Sequence, residues 1–183
     1  MDYLRYPIGQ FESFIINSHE DRNSVIQQIP KIVQTVRSIT CHLQPEQLSV
    51  PYRQGGWTIK QIIHHLADND INAFLRFKKA LTEDEPLASS YREDLWAQLS
   101  DYNDAPIECS LLLLESLHIR FLYLLSSLES EQFNRKLKTQ VLGIITLDVA
   151  LQRFIWHNHH HIAQIKSLID RMEWDYCHNQ STI

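Results

Sequence analysis

Glycine is scarce in this chain. Its 183 residues include four, Gly9, Gly55, Gly56 and Gly143. Neither a GxGxxG turn nor a GxxxxGK[ST] loop can be written with those positions, which excludes the Rossmann fingerprint and the P-loop. Cysteine is nearly as sparse: Cys41, Cys109 and Cys177 are far apart, and no CxxC occurs. An odd, scattered set does not suggest a secreted disulfide framework. Positive charge is in deficit, with 17 Lys+Arg against 22 Asp+Glu and a net charge of −5. A general nucleic-acid binder should instead be basic. The apolar run Leu111 to Leu114 is far short of a bilayer span, and Met1 to Pro7 shows no apolar signal-peptide core. The expected setting is therefore cytoplasmic, with no nucleic-acid or membrane partner. No GxSxG occurs, and Asn158 stands where a zincin HExxH would need Glu.

What is present is an ordinary globular composition, 44% apolar and 21% charged. The length suits one domain over residues 1–183. Residues 1–17 read as an arm, because Pro7 and Gly9 discourage helix. Apolar residues at Val25, Ile26, Ile29, Ile32, Val33, Val36 and Ile39 trace one helical face over about 19–41. Pro30 predicts a kink or break within it. Thr58 and Gln61 form a capping box opening a second helix to about residue 81. Residues 82–103 read as a long loop with a short helix near Trp96. Asp104 is placed to cap a third helix with Pro106 in its first turn. Residues 135–146 suggest a weak hairpin, and a fourth helix follows over 147–172. The expectation is an all-α four-helix bundle with an N-terminal arm and a short hairpin before the last helix.

Histidine is abundant. There are ten, four of them between His157 and His161. At 100° per residue, the apolar face of the last helix centres about 75° from His157. His161, at about 40°, lies on that face and His157 at its edge. His159 and His160 fall more than about 120° from the centre and point outward. The inward pair is spaced i, i+4, so two imidazoles stand one above the other, close enough to share an ion. On the second helix His65 lies at the margin of the apolar face and His64 on the solvent side, and phase prefers His65 only moderately. Weaker alternatives are His118, in the third helix, and His19, His42 and His178 near predicted ends. Asp68, three residues after His65, could orient that imidazole or simply be solvated.

The motifs together resemble the YfiT branch of the DinB/YfiT-like superfamily. They are Arg5-Tyr6-Pro7-Ile8-Gly9, Pro51-Tyr52-Arg53-Gln54-Gly55-Gly56-Trp57-Thr58, His64-His65-Leu66-Ala67-Asp68, Arg76-Phe77-Lys78 and Trp156-His157-x-x-His160-His161. The likeness covers about residues 5–172. It implies a dimeric four-helix bundle holding one divalent ion on three histidines, which map onto His65, His157 and His161. Zinc is the expected ion; imidazole also suits nickel. The extra His159 departs from the pattern.

The resemblance implies a metal-dependent enzyme that joins a small thiol, bacillithiol-like, to an electrophilic substrate, or a metal-dependent hydrolase. A non-catalytic metal-binding bundle is a third reading, for which His118 would be the first suspect as a fourth ligand. Three neutral histidines leave a coordination position open, as in catalytic sites. Such an ion could hold a thiolate or acidify water. Asn69, Asn72, Arg76 and Gln164 lie on the polar margins beside the ligands and are candidates to line the pocket. No general base can be identified from the sequence.

Overall fold

Pro30 sets the first boundary of the bundle. The computed structural model describes residues 2–175; Cys177 and His178 lie outside them. One short helical turn, α1 (Asp2–Arg5), interrupts the expected arm. The first apolar stripe is carried by two helices, α2 (His19–Ile26) and α3 (Ile29–Thr40), with Pro30 in the first turn of α3. Proline is tolerated there because the first amides of a helix have no intrahelical acceptor. The short α4 (Pro45–Leu48) leads to α5 (Ile59–Thr82). The capping box at its start is formed: the Gln61 amide donates to Thr58 Oγ1 over 3.1 Å, and the Thr58 amide to Gln61 Oε1 over 2.9 Å.

The polar segment after α5 holds α6 (Glu93–Trp96) and α7 (Ser100–Asp104), then α8 (Ile107–Ser126) begins. Asp104 does not cap α8; it ends α7, and the extended Ala105 and Pro106 separate the two helices. A 3₁₀ turn (Ser130–Asn134) precedes the antiparallel hairpin β1 (Lys136–Thr139) and β2 (Gly143–Thr146), which pairs Leu137 with Ile145. Thr146 caps the last helix, α9 (Leu147–Arg171).

Four long units, α2–α3, α5, α8 and α9, bury their stripes against one another, with α5 packed on both α8 and α9. Phe77, Phe121 and Phe154 meet edge to face at the centre, Phe77–Phe121 at 4.9 Å and Phe121–Phe154 at 5.1 Å. α8 is long and apolar enough to cross a membrane. It nevertheless carries Glu108, Glu115 and Arg120 and packs between α3 and α5. The N-terminal arm is tied to α9: the Gln152 amide accepts from the Phe14 N–H at 2.8 Å and donates to its carbonyl at 3.0 Å.

Candidate metal centre

α5 and α9 lie side by side, and the contact brings His65 against His157 and His161. One ring nitrogen from each lies within 4.8 Å of the other two. His65 Nε2 is 3.2 Å from His157 Nε2. Two imidazole nitrogens at about 2.0–2.1 Å from one tetrahedral ion would be roughly 3.3 Å apart, so the observed spacing fits a shared cation. His65 is 1% exposed and His161 7%.

Burial also sets their charge. The His65 imidazolium is disfavoured down to a pKa of about 3, first by burial and then by His160. Burial lowers His157 and His161 well below the ordinary histidine value, and the neighbouring histidines add to it. At neutral pH the three rings are uncharged, the form in which imidazole offers a lone pair to a metal.

Each ring has a partner that orients it. The Gln164 side-chain N–H donates to the Arg5 carbonyl at 2.9 Å, which turns Gln164 Oε1 toward His161 Nδ1 at 2.8 Å. A carbonyl oxygen only accepts, so His161 Nδ1 must carry the proton and Nε2 the lone pair. The Asn69 amide lies 3.1 Å from His157 Nδ1, and the Tyr91 hydroxyl 3.4 Å from His65 Nδ1. The Trp57 ring lies 4.5 Å from that of His65 and stacks toward His161 at 6.0 Å.

Of the sequence-predicted pocket residues, Asn69 and Gln164 reach the histidines. Asp68 does not orient His65; its carboxylate accepts from the Tyr102 hydroxyl at 2.6 Å. Asn72 turns back to the Asp68 carbonyl at 2.8 Å. Arg76 donates to the Ser89 carbonyl, tying the polar segment to α5. His118 is no fourth ligand: its Nε2 pairs with the buried Asp70 Oδ2 at 2.7 Å. Asp70 Oδ1 in turn accepts from Asn158 and Asn69, so a buried polar chain runs beneath His157.

Two phase assignments are corrected. His64 is buried, with Nδ1 2.8 Å from Ser110 Oγ and its ring against Tyr102. α7 and α8 cover the side of α5 that the apolar stripe left to solvent. His160 is also buried, stacked on Trp156 at 4.8 Å, near Tyr6 at 5.8 Å, and accepting from Gln164 Nε2 at 2.9 Å. The N-terminal arm lies over it, a partner that phases within α9 cannot reveal. His159 is exposed as expected.

The cluster opens on a cavity of about 290 Å³. Its lining includes Arg5, Arg53, Glu93, Arg153 and Trp156, none of them among the candidates read from sequence. The signal for Arg153 was available: it precedes His157 by four residues and shares its helical face. Arg5, Arg53 and Glu93 come from distant segments; Arg5 and Arg53 stand within the motifs quoted above, but no helical phase places them beside the histidines.

The fold and the site together define a helical bundle with a candidate three-histidine metal centre between two of its helices. The chain belongs to the DinB superfamily, whose family model matches residues 32–165. It is 41% identical over 174 residues to a Bacillus cereus protein named "Putative metal-dependent hydrolase", covering 95% of this chain and all of that one. A Geobacillus thermodenitrificans protein of the same name is 42% identical over 175 residues, covering 95% of this chain and 98% of the relative. The solved structure of YfiT from Bacillus subtilis, described as "a probable metal-dependent hydrolase with an unusual four-helix bundle topology", superimposes with a TM-score of 0.91. It is 40% identical and covers 94% of this chain and 99% of that one.

Proposed function

We propose that the protein is a divalent-metal-dependent enzyme that transfers a low-molecular-weight, bacillithiol-like thiol to an electrophilic carbon at His65, His157 and His161. The supporting observation is the cluster itself: three neutral histidines, His65 and His161 buried and His157 half-buried, with no fourth protein ligand among the described residues, facing a cavity. Structural zinc sites are closed by four ligands, whereas catalytic ones keep a position open. When bound, a divalent ion would supply a Lewis acid that favours the anionic form of sulfur at neutral pH.

The chain's own residues do the rest. Gln164 holds the proton on His161 Nδ1, so that Nε2 faces the centre. Trp57 shields one face of His65 from water. Arg5, Arg53 and Arg153, against the single carboxylate of Glu93, make the cavity wall positive and suit a thiol bearing acidic groups. The sulfur–carbon bond forms as the bond from carbon to its leaving group breaks. The leaving group departs with the bonding pair, and the thiol proton passes to solvent.

A second reading, metal-dependent hydrolysis, is favoured by the names of the relatives and by Glu93, a carboxylate on the cavity wall. The two separate in one experiment. Bacillithiol, glutathione, cysteine and coenzyme A are each incubated with monochlorobimane and the zinc-loaded protein, with and without chelator. Thiol transfer requires chelator-sensitive consumption of at least one thiol. Turnover of ester or amide substrates with no thiol consumed would establish the hydrolase instead.

A further inference from the structure

Beside the histidine cavity lies a second one, of about 370 Å³, between α5, the hairpin and α9. Ala73, Phe77, Leu137, Ile145, Ala150 and Phe154 form an apolar side to its wall, and polar residues, Asn69, Arg76 and Asp94 among them, line the rest. Glu93, Arg153 and His157 line both cavities, so one layer of side chains divides them. Tyr91 belongs to the same partition: its ring lines the apolar cavity while its hydroxyl reaches toward His65 Nδ1. The thiol chemistry above makes no use of this space.

Two further observations point to an occupant. The hairpin turn places Val141 and Leu142 at the cavity, and they are 85% and 40% exposed. Loop tips are ordinarily polar, so apolar side chains on a cavity rim mark a surface that gains by being covered. Arg153 rests its guanidinium 4.5 Å over the Trp156 ring and makes no hydrogen bond or ion pair within 4 Å among the described residues. A half-buried cation with free donors therefore stands at the partition.

We propose that this cavity is the acceptor subsite. It holds the compact apolar group, a branched aliphatic chain or a single aromatic ring, of the small organic electrophile that the thiol attacks. Arg153 faces the polar end of that molecule, and the reacting carbon lies on the His157 side. The volume falls within the usual range for small-molecule sites, roughly 300–1,000 Å³. The identity of the occupant as an electrophile rests on the thiol-transfer reading; the apolar subsite does not.

The test has two arms. In the first, methyl-labelled, zinc-loaded protein is titrated with benzyl alcohol, an unreactive probe, and followed by NMR. Saturable shifts are expected at Ala73, Ile145 and Ala150. Ala150→Leu, which fills the cavity, should raise the dissociation constant at least fivefold. Val141→Asp, on the exposed turn where folding is not at stake, should raise it severalfold. Shifts confined to exposed residues of α8 such as Leu112 and Ile119, or an unchanged constant in both variants, would overturn the proposal. In the second arm, the reactive thiol is used with monochlorobimane and with iodoacetamide, which is small and polar. The ratio of their kcat/KM values should fall at least tenfold in Ala150→Leu. An unchanged ratio with transfer intact would overturn the subsite and leave the thiol reading standing. Benzyl alcohol binding with no thiol reaction at all would overturn the thiol reading and leave the apolar subsite standing.

Discussion

Gln164 and His161 are joined by a hydrogen bond of 2.8 Å whose direction is forced, because the other end of the Gln164 amide donates to the Arg5 carbonyl. The N-terminal arm thereby sets the tautomer of a candidate metal ligand on the last helix. Partners of ligating histidines typically contribute 10–100-fold in metal affinity. We expect Gln164→Ala to bind zinc about 10–100-fold more weakly while still reaching full occupancy at high zinc. Competition against a chromophoric chelator reads this directly.

Elemental analysis of protein purified without a nickel column should find about one divalent ion per chain, zinc being the expected species. His161→Ala should lose it. His159→Ala, at an exposed position, should keep both the ion and the fold. Equal metal in wild type and His161→Ala would remove this centre.

The metal-free protein should lose stability on acidification. His65, His157, His160 and His161 all have folded pKa values depressed below the ordinary value of about 6.5, chiefly by burial. Between the folded and unfolded values the unfolded chain binds the proton and the folded chain does not. Stability from these groups is therefore complete above about pH 6.5 and falls as the pH drops toward the folded values, about 4 for His160 and about 3 for His65. Each histidine contributes a slope of at most about 1.4 kcal/mol per pH unit. Urea midpoints in chelator at pH 7 and pH 5 should differ clearly, and a flat profile would contradict the burial argument.

Asp70 is fully buried and accepts from His118, Asn158 and Asn69, linking α5, α8 and α9 beneath His157. Asp70→Ala would take the acceptor from two buried side chains, His118 and Asn158, and from the half-buried Asn69. The expected cost is on the order of 3 kcal/mol, a fall in Tm of roughly 6–12 °C for a chain of this size.

We propose that the outer face of α8 meets a second copy of the chain. Leu112, Ile119 and Tyr123 recur along one stripe and are 53%, 54% and 77% exposed. The arm and the 82–103 segment do not cover them, although Tyr102 within that segment is buried. Light scattering should give about twice 21.6 kDa, and Ile119→Glu should return the monomer. A wild-type mass of 21.6 kDa would sink the dimer.

Periodicity and punctuation carried most of the fold into view. Pro30, the Thr58–Gln61 box and the apolar stripes predict the helical units, because each is a local steric or hydrogen-bonding preference. Asp104 failed as a cap because a separate short helix ended on it, a competition between neighbouring elements that propensity does not resolve. At the centre, the i, i+4 spacing singled out His157 and His161, since both lie on one helical face. Phase left His65 and His64 open, and resemblance, not geometry, pointed to His65.

What the sequence alone determined was therefore local: where helices start and stop, which stripe each one buries, and which histidines share a face. The tertiary structure alone decided what lies across from those faces. Only packing shows that the arm covers His160, that Ser110 and Tyr102 bury His64, that His118 belongs to Asp70, and that Arg5, Arg53 and Arg153 gather at one cavity. Such contacts join residues far apart in the chain, and helical phase describes only neighbours within a few turns. The partition between the two cavities is of the same kind, built from Glu93 on α6 and Arg153 and His157 on α9.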